Sequence, residues 1–324
     1  MKTLLPLLIL FFVLSGYAQT KQNYALVIHG GAGVMVREKM PEDVQKKYVK
    51  TLDKALRKGD SILAHGGKSL DAVEQVIRVL EDSPLFNAGR GAVLAHDGTA
   101  QLDASIMQGA DLSAGAVCGV KEIKNPISAA RAVMEHSEHV FLSGNGASDF
   151  ARQQGLEMVR NSYFITEKQK NSLNELLKKE REQTINDKHG TVGCVALDTY
   201  GNITAGTSTG GMINKKFGRI GDSPVIGAGT YANNQTCGVS CTGHGEYYIR
   251  LGFARDVSAL MEYRQLTVQQ ACRAEIDKLS QIGGTGGVIA LDRQGNIAME
   301  FNTPGMFRAY SKSSGEKFIG IFND

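Results

Sequence analysis

The sequence has no C-x-x-C pair, no tryptophan, no strong excess of either charge, and no long apolar run beyond its first residues. The five cysteines, Cys118, Cys194, Cys237, Cys241 and Cys272, are odd in number and lack zinc-site spacing, so zinc is unsupported. A formal net charge of +3 is too weak to argue for nucleic acid. Basic runs such as Lys178-Lys179-Glu180-Arg181 alternate with acids, as a solvated face does. No later stretch is long and apolar enough to span a bilayer. The run Tyr24–Ile28 ends in His29-Gly30-Gly31-Ala32-Gly33, which lacks the Lys-Ser/Thr of a phosphate loop and the G-x-G-x-x-G spacing. It reads as backbone packed closely against a site, with His29 a satisfied core or supporting histidine and not a base.

What is present is 324 residues of ordinary apolar content with 38 glycines, enough for one large domain or two small ones with many tight turns. Residues 1–18 read as a secretory signal peptide: Lys2, the short apolar run Leu4–Leu14, and the small-x-small end Gly16-Tyr17-Ala18. No cysteine follows that run, so a lipid anchor is not expected. The mature protein is expected in the periplasm or outside the cell, without a membrane partner. Export permits a Cys237–Cys241 disulfide, but small buried thiols are the expectation.

Helical spacing marks Val44, Tyr48, Leu52 and Leu56, then Leu70, Val73, Ile77 and Leu80 behind Ser69 as N-cap. The turn-rich loop Ser83–Gly91 cannot be regular structure. Val93–Ala95 and Gln101–Met107 read as a hairpin, and Ala114–Val120 and Val140–Leu142 as strands. Pro126 opens a helix with Ile127, Ala130, Val133 and Met134 inward. Residues 166–190 read as a polar, largely mobile linker with at most a loose helix. Val225–Ala228 and Val239–Cys241 read as strands, Tyr248, Leu251, Ala254 and Val257 as one buried helix, and Thr267-x-x-Gln270 as a capping box for a last helix through Leu279. Strand runs interrupted by paired helices favour layered α+β over a Rossmann-type sheet.

The chain is organised around Lys188–Met212. Residues 284–306 echo 190–212 without a gap: Thr285 answers Thr191, Asp292 answers Asp198, and the Gly295-Asn296-Ile297 turn answers Gly201-Asn202-Ile203. Apolar alternation on each side of a D-x-x-G-N turn predicts two β-hairpins. On one reading G-T-x-G merely starts a hairpin. On the other, the bond between Gly190 and Thr191 is cut and Thr191 gains a free α-amine. That amine can take the proton of its own hydroxyl, since a free α-amine titrates near 7.7–8.0 in model peptides, about the working range of a general base. Only Thr191 follows a solvated stretch that could end at a cut.

The motifs HGGAG (29–33), PLFNAGRG (84–91), LDASIM (102–107), GTVGCVALD (190–198), TSTGGM (207–212), GRIGDSP (218–224), GAGTYANN (227–234), SCTGHGE (240–246) and GGTGGVIALD (283–292) span nearly the whole mature chain. Together they resemble the plant-type asparaginase and isoaspartyl peptidase family of N-terminal-nucleophile hydrolases. The resemblance implies a four-layer αββα sandwich, built as one domain from an alpha subunit (19–190) and a beta subunit (191–324) of a self-cut precursor. By position it makes Thr191 the nucleophile, Thr209 the residue orienting its hydroxyl, Thr242 and Gly243 the oxyanion donors, and Asn87 an anchor near the nucleophile. Arg219 and Asp222 would read the substrate's α-carboxylate and α-ammonium, with Gly245 contributing backbone. A structural sodium ion would be held by the backbone carbonyls of Leu80, Glu81, Ser83, Phe86, Ala88 and Arg90, and no organic cofactor is implied. The implied substrate is asparagine or a short β-aspartyl peptide with free α-amino and α-carboxylate groups, and the implied assembly is a dimer of cut protomers. Arg90 beside the ion loop and His244 within T-G-x-G depart from the pattern. The spelling TGHGE is also similar to glycosylasparaginases, so a sugar-linked asparagine stays open as substrate, as does a non-catalytic exported binding protein of the same fold.

Overall fold

A computed structural model describes residues 23–181 and 190–323. Residues 1–22, with the segment read as a signal peptide, residues 182–189 of the linker and residue 324 lie outside the described residues. The elements run β1 (Ala25–Gly33), α1 (Glu42–Ala64), α2 (Ser69–Glu81), β2 (Leu102–Gln108), β3 (Ala114–Val120), α3 (Pro126–His136), β4 (Phe141–Ser143), α4 (Gly144–Gln153) and α5 (Glu167–Arg181). After Thr191 come β5 (Val192–Leu197), β6 (Ile203–Thr209), β7 (Thr230–Ala232), β8 (Cys237–Gly243), α6 (Gly245–Leu251), α7 (Phe253–Arg264) and α8 (Val268–Gln281). The chain closes with β9 (Gly286–Asp292), β10 (Ile297–Phe301), β11 (Gly305–Lys312) and β12 (Lys317–Phe322).

Eight strands form one sheet in the order β12-β11-β1-β5-β6-β2-β3-β4, and four form a second, β10-β9-β8-β7. Along β1, Leu26 and Ile28 enter one core while Ala25 and Val27 enter the other, as a period of two requires. Both faces are covered, which is why the strand reads as an unbroken apolar run. On the outer face of the large sheet, Leu52 and Leu56 of α1, Val73 and Ile77 of α2 and Ile127 of α3 pack against it. Each such full burial contributes about 1.5–3 kcal/mol. On the inner face, Val195 and Ile203 meet Val239 and Ile289 of the small sheet, which α7 and α8 cover from outside. The order helices, sheet, sheet, helices is the four-layer αββα sandwich. Among the described residues no helix is long and apolar enough to cross a membrane.

The two echoing segments are hairpins with the same turn, one in each sheet. Asp198 Oδ1 accepts from the N–H groups of Tyr200 and Asn202 (3.0 and 2.9 Å), and Asp292 Oδ1 accepts from those of Gln294 and Asn296 (both 2.9 Å). Asp198 does one thing more: its Oδ2 accepts from the N–H of Ser69 at 2.9 Å, capping α2 from across the molecule. Charged acceptors make the stronger hydrogen bonds. Asp198→Ala is therefore expected to cost about 2–4 kcal/mol, read as a lower denaturation midpoint. Asp292→Ala, which caps no helix, should cost less.

Several sequence expectations need correction. Ser69 is the first residue of α2, and Lys68 is the N-cap, with no side-chain cap bond of its own. The Ser69 hydroxyl instead meets Thr204 Oγ1 at 2.9 Å. The polar segment read as at most a loose helix contains the fifteen-residue α5, whose Leu173 and Leu176 dock into the first core. Val225–Ala228 is turn, and the strand starts at Thr230. Val93–Ala95 makes only the isolated bridge Leu94↔Ala100. The single helix expected through Tyr248 and Val257 is two, α6 and α7, broken at Gly252 with φ 60°. The capping box at Thr267 and Gln270 forms as expected. All five cysteines are buried free thiols. Cys237 and Cys241 lie four residues apart on β8, too far along an extended strand for a disulfide.

Candidate active site

The site lies at the end of the large sheet where β5 begins and β6 ends. Thr191 precedes the first residue of β5 and Thr209 is the last of β6, so antiparallel pairing brings their side chains together. The Thr191 hydroxyl donates to Thr209 Oγ1 at 3.2 Å, and the Gly211 N–H donates to the same oxygen at 2.9 Å. Thr209 in turn donates to the Gly190 carbonyl at 3.1 Å. Asn87 Nδ2 donates to that carbonyl at 2.6 Å and to Gly211 O at 2.7 Å. The Val93 N–H donates to Asn87 Oδ1 at 2.8 Å, which settles the direction of the amide. In the continuous chain, two donors thus converge on the carbonyl of the Gly190–Thr191 bond.

Gly31, at φ +110°, runs alongside this bond: a Cβ there would stand 3.2 Å from Gly190 Cα and 3.3 Å from Thr191 N. His29, two residues earlier, is wholly buried, and desolvation pushes its pKa down to about 3. Its ring lies 3.2 Å from Thr191 O and 3.0 Å from Ser240 Oγ, the supporting place expected of it.

Arg219 and Asp222 sit across the same cavity. Arg219 is held by Glu246 in a two-point pair, Nε to Oε1 at 2.8 Å and Nη2 to Oε2 at 2.7 Å. Those hydrogen bonds hold the Glu246 carboxyl well below the usual carboxylate range. His244 Nε2 lies 3.3 Å from Glu246 Oε2. Asp222 is buried, and burial raises its pKa to about 7 against the pull of Arg219. Its Oδ2 is buried with no protein hydrogen-bond partner, an exception to the usual pairing of buried polar atoms. A Cβ on Gly245 would fall 2.8 Å from Asp222 Oδ1 and 2.9 Å from Arg219 Nη2, so only bare backbone fits over the pair.

Gly190, Thr191, Thr209, Arg219, Asp222 and Gly243 line a cavity of about 10 Å³, room for one water. Thr242 is buried at the end of β8, where its Oγ1 accepts from the Ala32 N–H at 3.3 Å. Leu80–Arg90 folds back on itself beneath Asn87. A Cβ on Gly89 would lie 2.4 Å from Glu81 O and one on Gly91 2.1 Å from Phe86 O, so carbonyl oxygens crowd the inside of the loop. Such all-oxygen donors suit a hard cation. Arg90 is exposed, 5.8 Å from the Tyr163 ring centroid. Among the described residues no group of three or more His, Cys, Asp or Glu side chains could hold a metal ion.

The structure gathers Asn87, Gly190, Thr191, Thr209, Arg219, Asp222, Gly243 and Gly245 at one place, with Thr242 beside them. Sequence reasoning missed Glu246 as the partner that fixes Arg219; its only signal was a carboxylate closing T-G-H-G-E. It also missed the buried pair of Lys215 and Asp103, 3.6 Å apart behind the Thr209 turn. Residues 22–321 match the asparaginase family model. The chain is 45% identical over 310 residues to an isoaspartyl peptidase of Escherichia coli (strain K12), covering 92% of this chain and 96% of the relative. It is 43% identical over 288 residues to an isoaspartyl peptidase/L-asparaginase of Mus musculus, covering 88% and 86%. A Bos taurus protein of the same name is 40% identical over 303 residues, covering 92% and 96%. Sandwich, motif order and match along nearly the whole described chain agree, and the chain belongs to the asparaginase family.

Proposed function

We propose that this chain is a self-cutting threonine hydrolase that releases aspartate from β-aspartyl peptides or from asparagine. The observation that carries this reading is the Gly190 carbonyl, held by Asn87 and Thr209 next to the Thr191 hydroxyl. Donors aimed at a carbonyl stabilise the charge that appears on it under attack. Thr191 Oγ attacks the Gly190 carbon, the C–N bond breaks with its nitrogen taking the proton, and water hydrolyses the resulting ester. Thr191 then carries a primary amine.

In turnover that amine accepts the Thr191 hydroxyl proton as the oxygen attacks the β-carbonyl of the substrate. Thr242 and Gly243 face the developing oxyanion, and ammonia or a peptide amine leaves with a proton. Water then cleaves the aspartyl ester, and the hydroxyl recovers its proton. Arg219, oriented by Glu246, takes the α-carboxylate, and Asp222 Oδ2 takes the α-ammonium. A sodium ion in the Leu80–Arg90 loop, bound by the carbonyls of Leu80, Glu81, Ser83, Phe86, Ala88 and Arg90, would stiffen the loop that carries Asn87. Export and a dimer of cut protomers complete the reading, on the strength of the leader and the resemblance.

On a denaturing gel the purified protein is expected to give two fragments, the smaller beginning at Thr191 by N-terminal sequencing. Assays for aspartate from β-aspartyl dipeptides, ammonia from asparagine and sugar amine from glycosyl-asparagine should favour the first two. Faster release of sugar amine would make it a glycosylasparaginase, and one intact inactive chain would make it a binding protein.

A further inference from the structure

Between the two sheets, a row of buried side-chain hydroxyls runs from the Asp222 loop to Thr191. His29 fixes its direction. Thr191 O can only accept, so the His29 nitrogen 3.2 Å away, Nδ1, carries the proton. The ring is neutral, because complete burial pushes its pKa to about 3. Nε2 is therefore bare and accepts from Ser240 Oγ at 3.0 Å. With its proton so used, Ser240 must accept from Thr207 Oγ1, 2.7 Å away. Thr207 then accepts from Thr230 Oγ1 at 2.6 Å. Ser105 Oγ, 2.8 Å from Thr230 Oγ1, lies 2.6 Å from Ser223 O, which ties the row to the loop that carries Asp222. One tautomer thus aligns the hydroxyls of Thr230, Thr207 and Ser240 toward His29 and Thr191.

We propose that His29, Ser240, Thr207 and Thr230 form a one-way hydrogen-bond chain that positions Thr191 and keeps its freed α-amine neutral. This rests on the reading of Thr191 as a self-freed N-terminal nucleophile. Aligned donors reinforce one another in a low-dielectric interior. Their positive ends point at the residue whose amine must be unprotonated to act, which disfavours the ammonium form. The charged groups around Thr191 do not decide the matter among themselves. Lys215 lies against Asp103 behind the Thr209 turn, and Arg219 is paired with Glu246. Asp222 faces the cavity, and His29 is the titratable group on β1. His29 and the hydroxyls touch neither substrate nor reacting atoms, so these are positioning residues.

The test is kcat against pH on matured protein with a β-aspartyl dipeptide. In the bound complex the substrate ammonium keeps Asp222 ionised, so the acid limb of kcat reports the amine. Ser240→Ala should raise that limb by about 0.5 unit, a threefold loss below both pKa values, with the plateau changed little. Thr207→Val, one bond further out and of the same shape, should raise it less, and Thr207→Ser should restore it. If Ser240→Ala does not fold, Thr207→Val against Thr207→Ser answers alone. A lowered plateau with an unmoved acid limb would overturn the proposal and leave only packing. Failure of the underlying reading looks different: the parent itself would lack a new N-terminus at Thr191.

Discussion

Thr191→Ala is expected to remain one polypeptide and to lose hydrolysis by at least about 10⁴-fold, since nucleophile and base vanish together. The argument is local. The Thr191 hydroxyl is one of the groups in hydrogen-bond contact with the Thr209–Gly190 carbonyl array, and alanine leaves that array intact with nothing to attack. Asn87 and Thr209 would still polarise the Gly190 carbonyl, so an uncut Thr191→Ala chain would isolate the attacking oxygen as the missing part. Thr191→Ser, which keeps both hydroxyl and prospective amine, should still cut and still turn over. A gel of the two variants beside the parent decides it: a cut Thr191→Ala chain would remove this hydroxyl from the self-cleavage.

The second large effect belongs to Asp222. Its carboxyl is raised to about 7 by burial, so the free site loses its negative charge as pH falls through that value. Neutral Asp222 cannot pair with an α-ammonium, whereas bound ammonium lowers the same pKa. The expected signature is an acid limb in kcat/KM steeper by one proton than that in kcat, because the free enzyme must ionise Asp222 and free the Thr191 amine of its proton, whereas kcat reports the amine alone. Asp222→Asn should remove that extra proton, leaving the amine's limb, and raise KM at pH 8 by about 10–100-fold, the worth of one charged hydrogen bond. If the kcat/KM limb stays as steep in Asp222→Asn as in the parent, another group reads the ammonium. Arg219 offers no such titration, because its pairing with Glu246 holds it charged throughout.

Sequence reasoning worked where the governing contacts are local. The D-x-x-G-N turns are closed by their own aspartates, and the Thr267–Gln270 box is closed within four residues, so each could be read from its spelling. The site residues came from motif identity rather than from periodicity, and Gly190, Thr191, Thr209, Arg219, Asp222 and Gly243 among them line one cavity. Where the decisive partner lies far along the chain, the reading failed. The cap on α2 comes from Asp198, not from the adjacent Ser69. Leu173 and Leu176 look like sparse punctuation in a polar stretch until the core that receives them is formed. Gly252 breaks a run whose apolar spacing alone looks continuous. Glu246 can be seen as Arg219's clamp only once α6 folds back over the loop.

On the proposed reading the uncut chain is a zymogen, with roughly 10 Å³ left among Gly190, Thr191 and Arg219. On that reading the peptide bond that hides the amine also stoppers the hole into which an aspartyl group would fit. A single scission would then arm the residue and unblock its entrance, and the chain would stay latent until that cut.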